Sequence, residues 1–580
     1  MHIVKNYRKL FGLFNKREKL NALFMLGLIA AGGVAETVGI GVILPFTTVL
    51  LDQDSVIKYP VLQAISEVPW IGGYRRFIVL MCFGLVLIFI LKSLYMFFLI
   101  YMQNRFALNR QIGMSKRLFQ AYIYKPYEYF FQKNTAELQR NVNSLVGAVI
   151  QGVLMSGLLL LTELLIVFFI SVLLFIIDPL TTACIMLALG GVSAVFYSAL
   201  RNKLDGAAKR QNIYGADMVK SVNEGLGSIK DIKVLGREDS FLTRFEASGK
   251  GYAKTAAFFN LVSQSPRLLI ETIAVSGLVI IVVINALRSP DMNASLPTVA
   301  LFGMAAIRVM PSVNRILSYV TGIRFNMVHF DQIYKDLASA TESKAFTFTK
   351  KERLSLQKSI DIRDLTYRYP AAAANVLENV NMTIEKGQSV GIVGASGSGK
   401  TTLVDIILGL LAPVQGEILI DGKNIKNNIL GFRQSIGYVP QSIFVIDDTI
   451  AANVAFGVPT CEIDKEKVLV ALETANLKEF VESQNDGIGA VVGERGLKLS
   501  GGQLQRLGIA RALYSDPEVL VFDEATSSLD TESEKAITEA IAKIGETKTM
   551  IIIAHRLNTL ENCDVIYEVK SKGIKRKAGL

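Results

Sequence analysis

The stretch Gly394-Ala395-Ser396-Gly397-Ser398-Gly399-Lys400-Thr401-Thr402 decides how the second half of the chain is read. It follows the apolar run Ser389 to Val393, which predicts a short strand ending where the glycines begin. It precedes Leu403 to Leu410, which predicts a helix. Strand, loop and helix in that order are the context a phosphate-binding loop requires. Glycines let consecutive backbone N–H groups point inward around an anion, and the helix N-terminus adds its positive dipole end. In the spacing G-x-x-x-x-G-K-T, Lys400 reaches the β- and γ-phosphates and Thr401 ligates Mg²⁺. A Gly/Ser-rich turn between two buried elements is the alternative, and the full spacing with both flanks outweighs it.

Outward from this loop, the chain divides by composition. Its 580 residues exceed one compact domain, and the apolar 51% is unevenly spread. Long runs almost free of charge lie before residue 325, whereas the remainder alternates as soluble proteins do, so a membrane half precedes a cytosolic half. The net charge of +11 raises nucleic acid as a partner. Basic residues at cytoplasmic membrane edges explain it more simply, and the aromatic and basic interleaving of RNA-binding sheets is missing, so no nucleic-acid partner is expected. Cys82, Cys184, Cys461 and Cys563 lie far apart without a C-x-x-C, which supports neither a metal site nor a disulfide framework. The first apolar run is too long for a cleavable signal peptide.

Lys5, Arg8, Lys9, Lys16, Arg17 and Lys19 precede a first span of about 21–51, which places the N-terminus in the cytoplasm. A second span covers about 77–101. Between them Ile57, Val61, Ile65 and Val68 fall on one helical stripe, a short interfacial helix or a loop packed on the helix ends. After a basic, helical stretch, apolar sequence runs from about 145 to 177, breaks at Asp178-Pro179 and continues to about 200. Two further spans, about 256–286 and 296–322, make six crossings with both termini cytoplasmic. The long polar stretches between spans predict helices that continue well beyond the bilayer.

Charges inside these spans need a reason, since a central Arg or Asp costs roughly 2.5–3.5 kcal/mol on insertion scales. Glu36, Glu163, Arg267, Glu271, Arg308 and Arg315 are the candidates. Either Arg267, Arg308 and Arg315 line a cavity and hold an anionic headgroup, or they pair internally, for instance Arg267 with Glu271 one turn away. Both readings stand on the sequence. His2 and His329, in a terminal arm and a linker, receive no role.

The sequence becomes mixed and charged beyond Arg324, which sets the domains at 1–325 for the membrane helices, 326–357 for a linker and 358–580 for an α/β domain. In the last, Glu518-Val-Leu-Val-Phe-Asp523-Glu524 predicts a buried strand ending in two carboxylates, beside the phosphate loop. Asp523 then holds Mg²⁺ through water, and Glu524 polarises an attacking water.

Leu499-Ser500-Gly501-Gly502-Gln503, ahead of the helical run Leu504 to Leu513, resembles the signature motif of the ATP-binding cassette transporters, and the resemblance covers essentially the whole chain. Further residues resemble that family's motifs: Tyr369 the adenine-stacking aromatic, Gln441 in Tyr-Val-Pro-Gln the Q-loop, Ser528-Leu529-Asp530 the D-loop and His555 the switch histidine. Gly493-Glu494-Arg495-Gly496 resembles the coupling loop of exporter-type cassettes. The resemblance implies a six-helix exporter bundle fused to a P-loop nucleotide-binding domain, with ATP and Mg²⁺ as cofactors. It implies Glu524, His555 and Gln441 as catalytic, and Thr401, Gln441 and Asp523 around the metal. Because the signature acts on nucleotide held by a second cassette, one cassette per chain implies a homodimer. A stacked tyrosine favours ATP and leaves GTP open.

Three stretches narrow the resemblance: Glu36-Thr-Val-Gly-Ile-Gly-Val-Ile-Leu-Pro-Phe46, Arg308-Val-Met-Pro-Ser-Val-Asn-Arg315 and Lys230-Asp-Ile-Lys-Val-Leu-Gly-Arg237. They look like the bacterial flippases of lipid-linked oligosaccharides, the PglK-like branch. That implies an inner-membrane protein moving a polyprenyl-diphosphate glycan to the outer leaflet. The alternative is a multidrug or lipid A-type exporter of the same architecture. A cassette protein that clamps a partner would lack real spans.

Overall fold

The computed structural model describes residues 2–67, 73–288, 296–342, 352–370, 372–524, 531–554 and 560–577. The chain forms two compact units, 1–125 with 133–345, and 126–132 with 346–580.

The first unit is helical. Its helices are α1 (His2–Gly12), α2 (Lys16–Gly41), α3 (Ile43–Leu51), α4 (Pro60–Ser66), α5 (Tyr74–Ile123), α6 (Thr135–Arg140), α7 (Val146–Val149), α8 (Ser156–Ile177), α9 (Pro179–Gly227), α10 (Ile229–Leu235), α11 (Glu238–Gln264), α12 (Pro266–Arg288) and α13 (Leu296–Glu342). Among the described residues four helical stretches are long and apolar enough to cross a membrane: Lys16–Leu51, Tyr74–Ile123, Thr135–Ile177 and Thr182–Gly227. The predicted break holds. α8 ends at Ile177, Asp178 is extended, and Pro179 opens α9, where its missing N–H costs nothing. α5 and α9 run 50 and 49 residues, about 75 Å each at 1.5 Å per residue, so they extend well past a bilayer core.

Three differences from the sequence reading appear here. The external stripe is split into a 3₁₀ turn at Gln53–Lys58 and the seven-residue α4, and Val68 lies outside the described residues. Second, α13 continues to Glu342, through the first half of the stretch taken as linker, and buries Met327, Phe330 and Ile333. His329 is therefore a buried core residue of a helix, with Nδ1 lacking a hydrogen-bond partner. Third, the helical path from α6 to α8 contains two π-helical stretches, Asn141–Leu145 and Ile150–Met155. A π turn displaces the regular i to i−4 ladder. In the second of them the Tyr7 hydroxyl of α1 donates to the Val153 carbonyl at 2.7 Å. That ring passes so close to Gly157 that a Cβ there would meet the hydroxyl at 2.3 Å.

The second unit holds β1 (Ser359–Tyr367), β2 (Leu377–Glu385), β3 (Ser389–Val393), α14 (Lys400–Ile407), β4 (Gln415–Ile420), β5 (Lys423–Asn424), α15 (Ile429–Arg433), β6 (Ile436–Val439), α16 (Ile450–Val454), α17 (Lys465–Thr474), α18 (Lys478–Glu482), α19 (Gly501–Leu513), β7 (Val519–Asp523), α20 (Thr531–Gly545), β8 (Thr549–Ile553), β9 (Val565–Lys570) and β10 (Gly573–Lys577). A four-stranded antiparallel sheet has the order β2-β1-β4-β5, and a six-stranded one has β10-β9-β3-β8-β7-β6. β3, β7 and β8 are buried on both faces, which is why they read as unbroken apolar runs; β2 alternates, with one face to solvent. β3 and β7 are not hydrogen-bonded neighbours. β8 lies between them, pairing Ile392 with Ile553 and Ile553 with Asp523. The phosphate loop and the two acids thus leave the same C-terminal edge of the sheet, where ligands of such α/β sheets bind.

Candidate functional site

The loop after β3 has the backbone that its glycines permit. Gly397 (φ +77°) and Gly399 (φ +105°) are left-handed, where a side chain would be strained. Lys400 opens α14, is buried, and donates from Nζ to the carbonyls of Gly394 (2.8 Å) and Ala395 (3.1 Å). Ser398 Oγ is buried without a hydrogen-bond partner, an acceptor and donor awaiting a polar group inside the loop. Thr401 is exposed. Thr402 is buried, and its hydroxyl lies 3.0 Å from that of Tyr369.

On β7, Asp523 is buried, and burial raises its carboxyl above the usual range despite the Tyr438 hydroxyl, which donates to Oδ2 at 3.3 Å. Glu524 follows at φ +50°, an uncommon conformation for a residue with a side chain. Its N–H donates to the Ile553 carbonyl at 3.1 Å, and Gln441 Nε2 donates to its Oε2 at 2.6 Å. Burial, and then the neighbouring Asp523 carboxylate, push Asp405 of α14 up to about 6.

The donor set suits both expected groups. The buried, unpartnered Ser398 hydroxyl inside a glycine cradle fits a phosphate. The Thr401 hydroxyl, the Asp523 carboxylate and the Gln441 amide oxygen are the hard oxygen donors Mg²⁺ prefers.

Ser500 caps α19 through a reciprocal pair with Gln503: its Oγ accepts from Gln503 N (3.2 Å), and its N donates to Gln503 Oε1 (2.8 Å). Gly501 and Gly502 form the first turn. His555 and Asp530 lie outside the described residues.

In the helical unit the charges pair between helices. Glu36 Oε1 receives Arg308 Nε at 2.5 Å and Lys92 Nζ at 3.4 Å. The Arg308 approach is close but off the line a hydrogen bond needs, so it is an ion pair without an aligned bond. Glu163 Oε1 receives Arg315 Nη1 at 2.9 Å. Internal pairing therefore accounts for two of the three arginines, while Arg267 is exposed on α12. Among the described residues the Arg267 pair with Glu271, offered as one example of internal pairing, does not form. Lys92 escaped the sequence reading, although a single cation within the apolar run 77–101 was the signal that could have found it.

Comparison with known proteins follows these two halves. The ABC transporter transmembrane region matches residues 22–265, and ABC transporter, the cassette family, matches 377–527. An ATP-dependent lipid A-core flippase of Aromatoleum aromaticum is 30% identical over 80% of this chain and 77% of its own. The chain belongs to the ABC transporter family. It is an exporter-type half-transporter, with a membrane-embedded helical region ahead of one cassette, and it binds and hydrolyses ATP to drive transport. The ATP-dependent lipid A-core flippase of Cupriavidus metallidurans resembles the half-transporter over 95% of the chain and 89% of its own, at 29% identity. In fold it matches a solved bacterial Atm1-family ABC exporter with ATP bound, with a TM-score of 0.78 at 20% identity, covering 97% of this chain and 95% of that one.

Proposed function

We propose that two copies of this half-transporter form a flippase in a bacterial inner membrane, moving a lipid with an anionic, sugar-bearing headgroup of the lipid A-core type to the outer leaflet. The likeness to lipid A-core flippases across both halves of the chain carries this reading. Six crossings, cytoplasmic termini and a homodimer belong to the same proposal.

In it, the Gly394 to Thr402 loop holds the β- and γ-phosphates, with Lys400 leaving the Gly394 and Ala395 carbonyls to reach them. Tyr369 stacks on the base. Thr401, Gln441 and Asp523 hold Mg²⁺, which supplies neutralisation of phosphate charge when bound. Glu524, set by its own backbone and by Gln441, takes the proton of the attacking water, and His555 steadies the phosphate. Ser500, Gly501, Gly502, Gln503 and Asp530 act across the dimer seam on the partner's nucleotide.

The polyprenyl-diphosphate glycan read from three short stretches is the other cargo; Arg308 and Arg315 already face carboxylates, so neither cargo's anionic headgroup is assigned to them. One experiment separates the two cargoes. Proteoliposomes holding the protein or its Glu524→Gln variant are given fluorescent lipid A-core or fluorescent polyprenyl-diphosphate oligosaccharide, with ATP. ATP-dependent flipping of the first alone is expected. Flipping of the second alone would overturn the assignment.

A further inference from the structure

The stretch Pro126–Gln132 lies in sequence between α5 and α6, yet it belongs to the second unit. Its 3₁₀ turn, Tyr127–Phe131, puts two side chains against the tyrosines at the end of β1. The Tyr367 hydroxyl donates to Glu128 Oε1 at 3.2 Å. The Phe131 ring meets Tyr369 edge to face, with centroids 5.7 Å apart and planes at 73°. Tyr127 backs Phe131 from its own side at 5.0 Å and 74°.

Tyr369 is therefore held at three points. Tyr367 approaches its ring at 5.1 Å and 84°, Phe131 approaches at 5.7 Å, and its hydroxyl is tied to Thr402 one residue past the metal-binding Thr401. A ring that stacks on a base has to be fixed in plane before the base arrives, or part of the stacking energy is lost in ordering it. Tyr367 is buried and belongs to the sheet, and Thr402 belongs to α14. Phe131 is the contact that comes from elsewhere in the sequence, and at 48% exposure it is not there to fill the core.

We propose that Phe131 is a positioning residue for nucleotide: it fixes the plane of Tyr369, so the seating of the 126–132 stretch tunes the affinity for the base. Glu128 holds that stretch in register through Tyr367. The inference rests on Tyr369 being the base-stacking residue, and the test separates the two.

The full-length protein in lipid nanodiscs is assayed for the KM and kcat of ATP hydrolysis and for binding of a fluorescent ATP analogue. Phe131→Ala is expected to raise KM by roughly threefold to tenfold, the scale of a lost aromatic pair, with the change falling mainly on KM. Phe131→Tyr restores affinity, and Phe131→Leu, which keeps apolar bulk without a ring edge, does not. In a Tyr369→Ala background, Phe131→Ala adds nothing further. If Tyr369→Ala raises KM while Phe131→Ala leaves it alone, or if the Phe131 effect persists undiminished without Tyr369, the positioning role is overturned and the base-stacking role survives. If Tyr369→Ala leaves KM unchanged, both are overturned.

Discussion

Gln441 Nε2 donates a 2.6 Å hydrogen bond to Glu524 Oε2, which ties the loop after β6 to the carboxylate that follows β7. The positive φ of Glu524 and this bond together fix where the carboxylate stands. Replacing Glu524 by Gln keeps an oxygen acceptor at that point but removes the carboxylate proposed as the base. ATP affinity should stay within about threefold while turnover falls by roughly 10²–10⁴, the usual share of a general base. Phosphate release measured beside nucleotide binding tests this, and unchanged turnover would remove Glu524 from its role.

Glu36 faces two cations. Glu36→Ala leaves Arg308 and Lys92 without their acid in a largely buried place, which should cost about 3–5 kcal/mol. Arg308→Ala should cost less, because Lys92 remains to hold Glu36. Thermal unfolding in nanodiscs reads the order. The reverse outcome, unchanged unfolding with lipid transport lost, would make the cluster a headgroup site rather than an internal pair.

His329 is held neutral. Burial, then the Arg140 guanidinium, push its imidazole down to about 4, against 6.5 for an ordinary histidine. Between those values the unfolded chain binds the proton and the folded one does not, so the stability it contributes is complete above pH 6.5 and is lost as pH falls toward 4. Unfolding midpoints from pH 7.5 to 4.5 should drop more steeply for the natural protein than for His329→Gln. Parallel curves would assign the acid sensitivity to other groups.

Ser500 is already engaged as the cap of α19, so Ser500→Ala should cost about 1 kcal/mol of cassette stability. Ser500→Arg adds bulk where the proposed dimer has its seam. Nucleotide binding to the loop should persist while hydrolysis falls at least tenfold, an energy of about 1.4 kcal/mol or more. Binding and hydrolysis are assayed together, and full hydrolysis with the bulky side chain would exclude a seam at this helix end.

The sequence showed most clearly what is local. The phosphate loop, β7 and α19 each carry their own pattern of glycines, apolar run or cap; β7 ends at Asp523 as expected, while α14 and α19 each begin three residues before the apolar runs that announced them, at Lys400 and Gly501. What depends on partners distant in the chain was hidden. Arg308 and Glu36, or Arg315 and Glu163, meet only because separate helices pack, whereas a pairing rule applied along one helix pointed to Arg267 and Glu271. The order of β3, β8 and β7 is likewise a long-range fact. The extension of α13 was readable: Ile323, Met327 and Phe330 keep helical spacing beneath the charges that suggested a linker. The membership of 126–132 in the second unit had no such local signal.

α5 carries Lys92 on Glu36 and, thirty positions later, Tyr122 donating to Asp336 Oδ2 at 2.6 Å. Each added or deleted residue turns a helix by about 100°. A single insertion between those two anchors would swing one of them off its partner while the other stayed engaged. The number of residues between them is consequently as constrained as their chemistry, because even a change of about one turn, which restores the facing direction, slides one anchor roughly 5.4 Å along the axis.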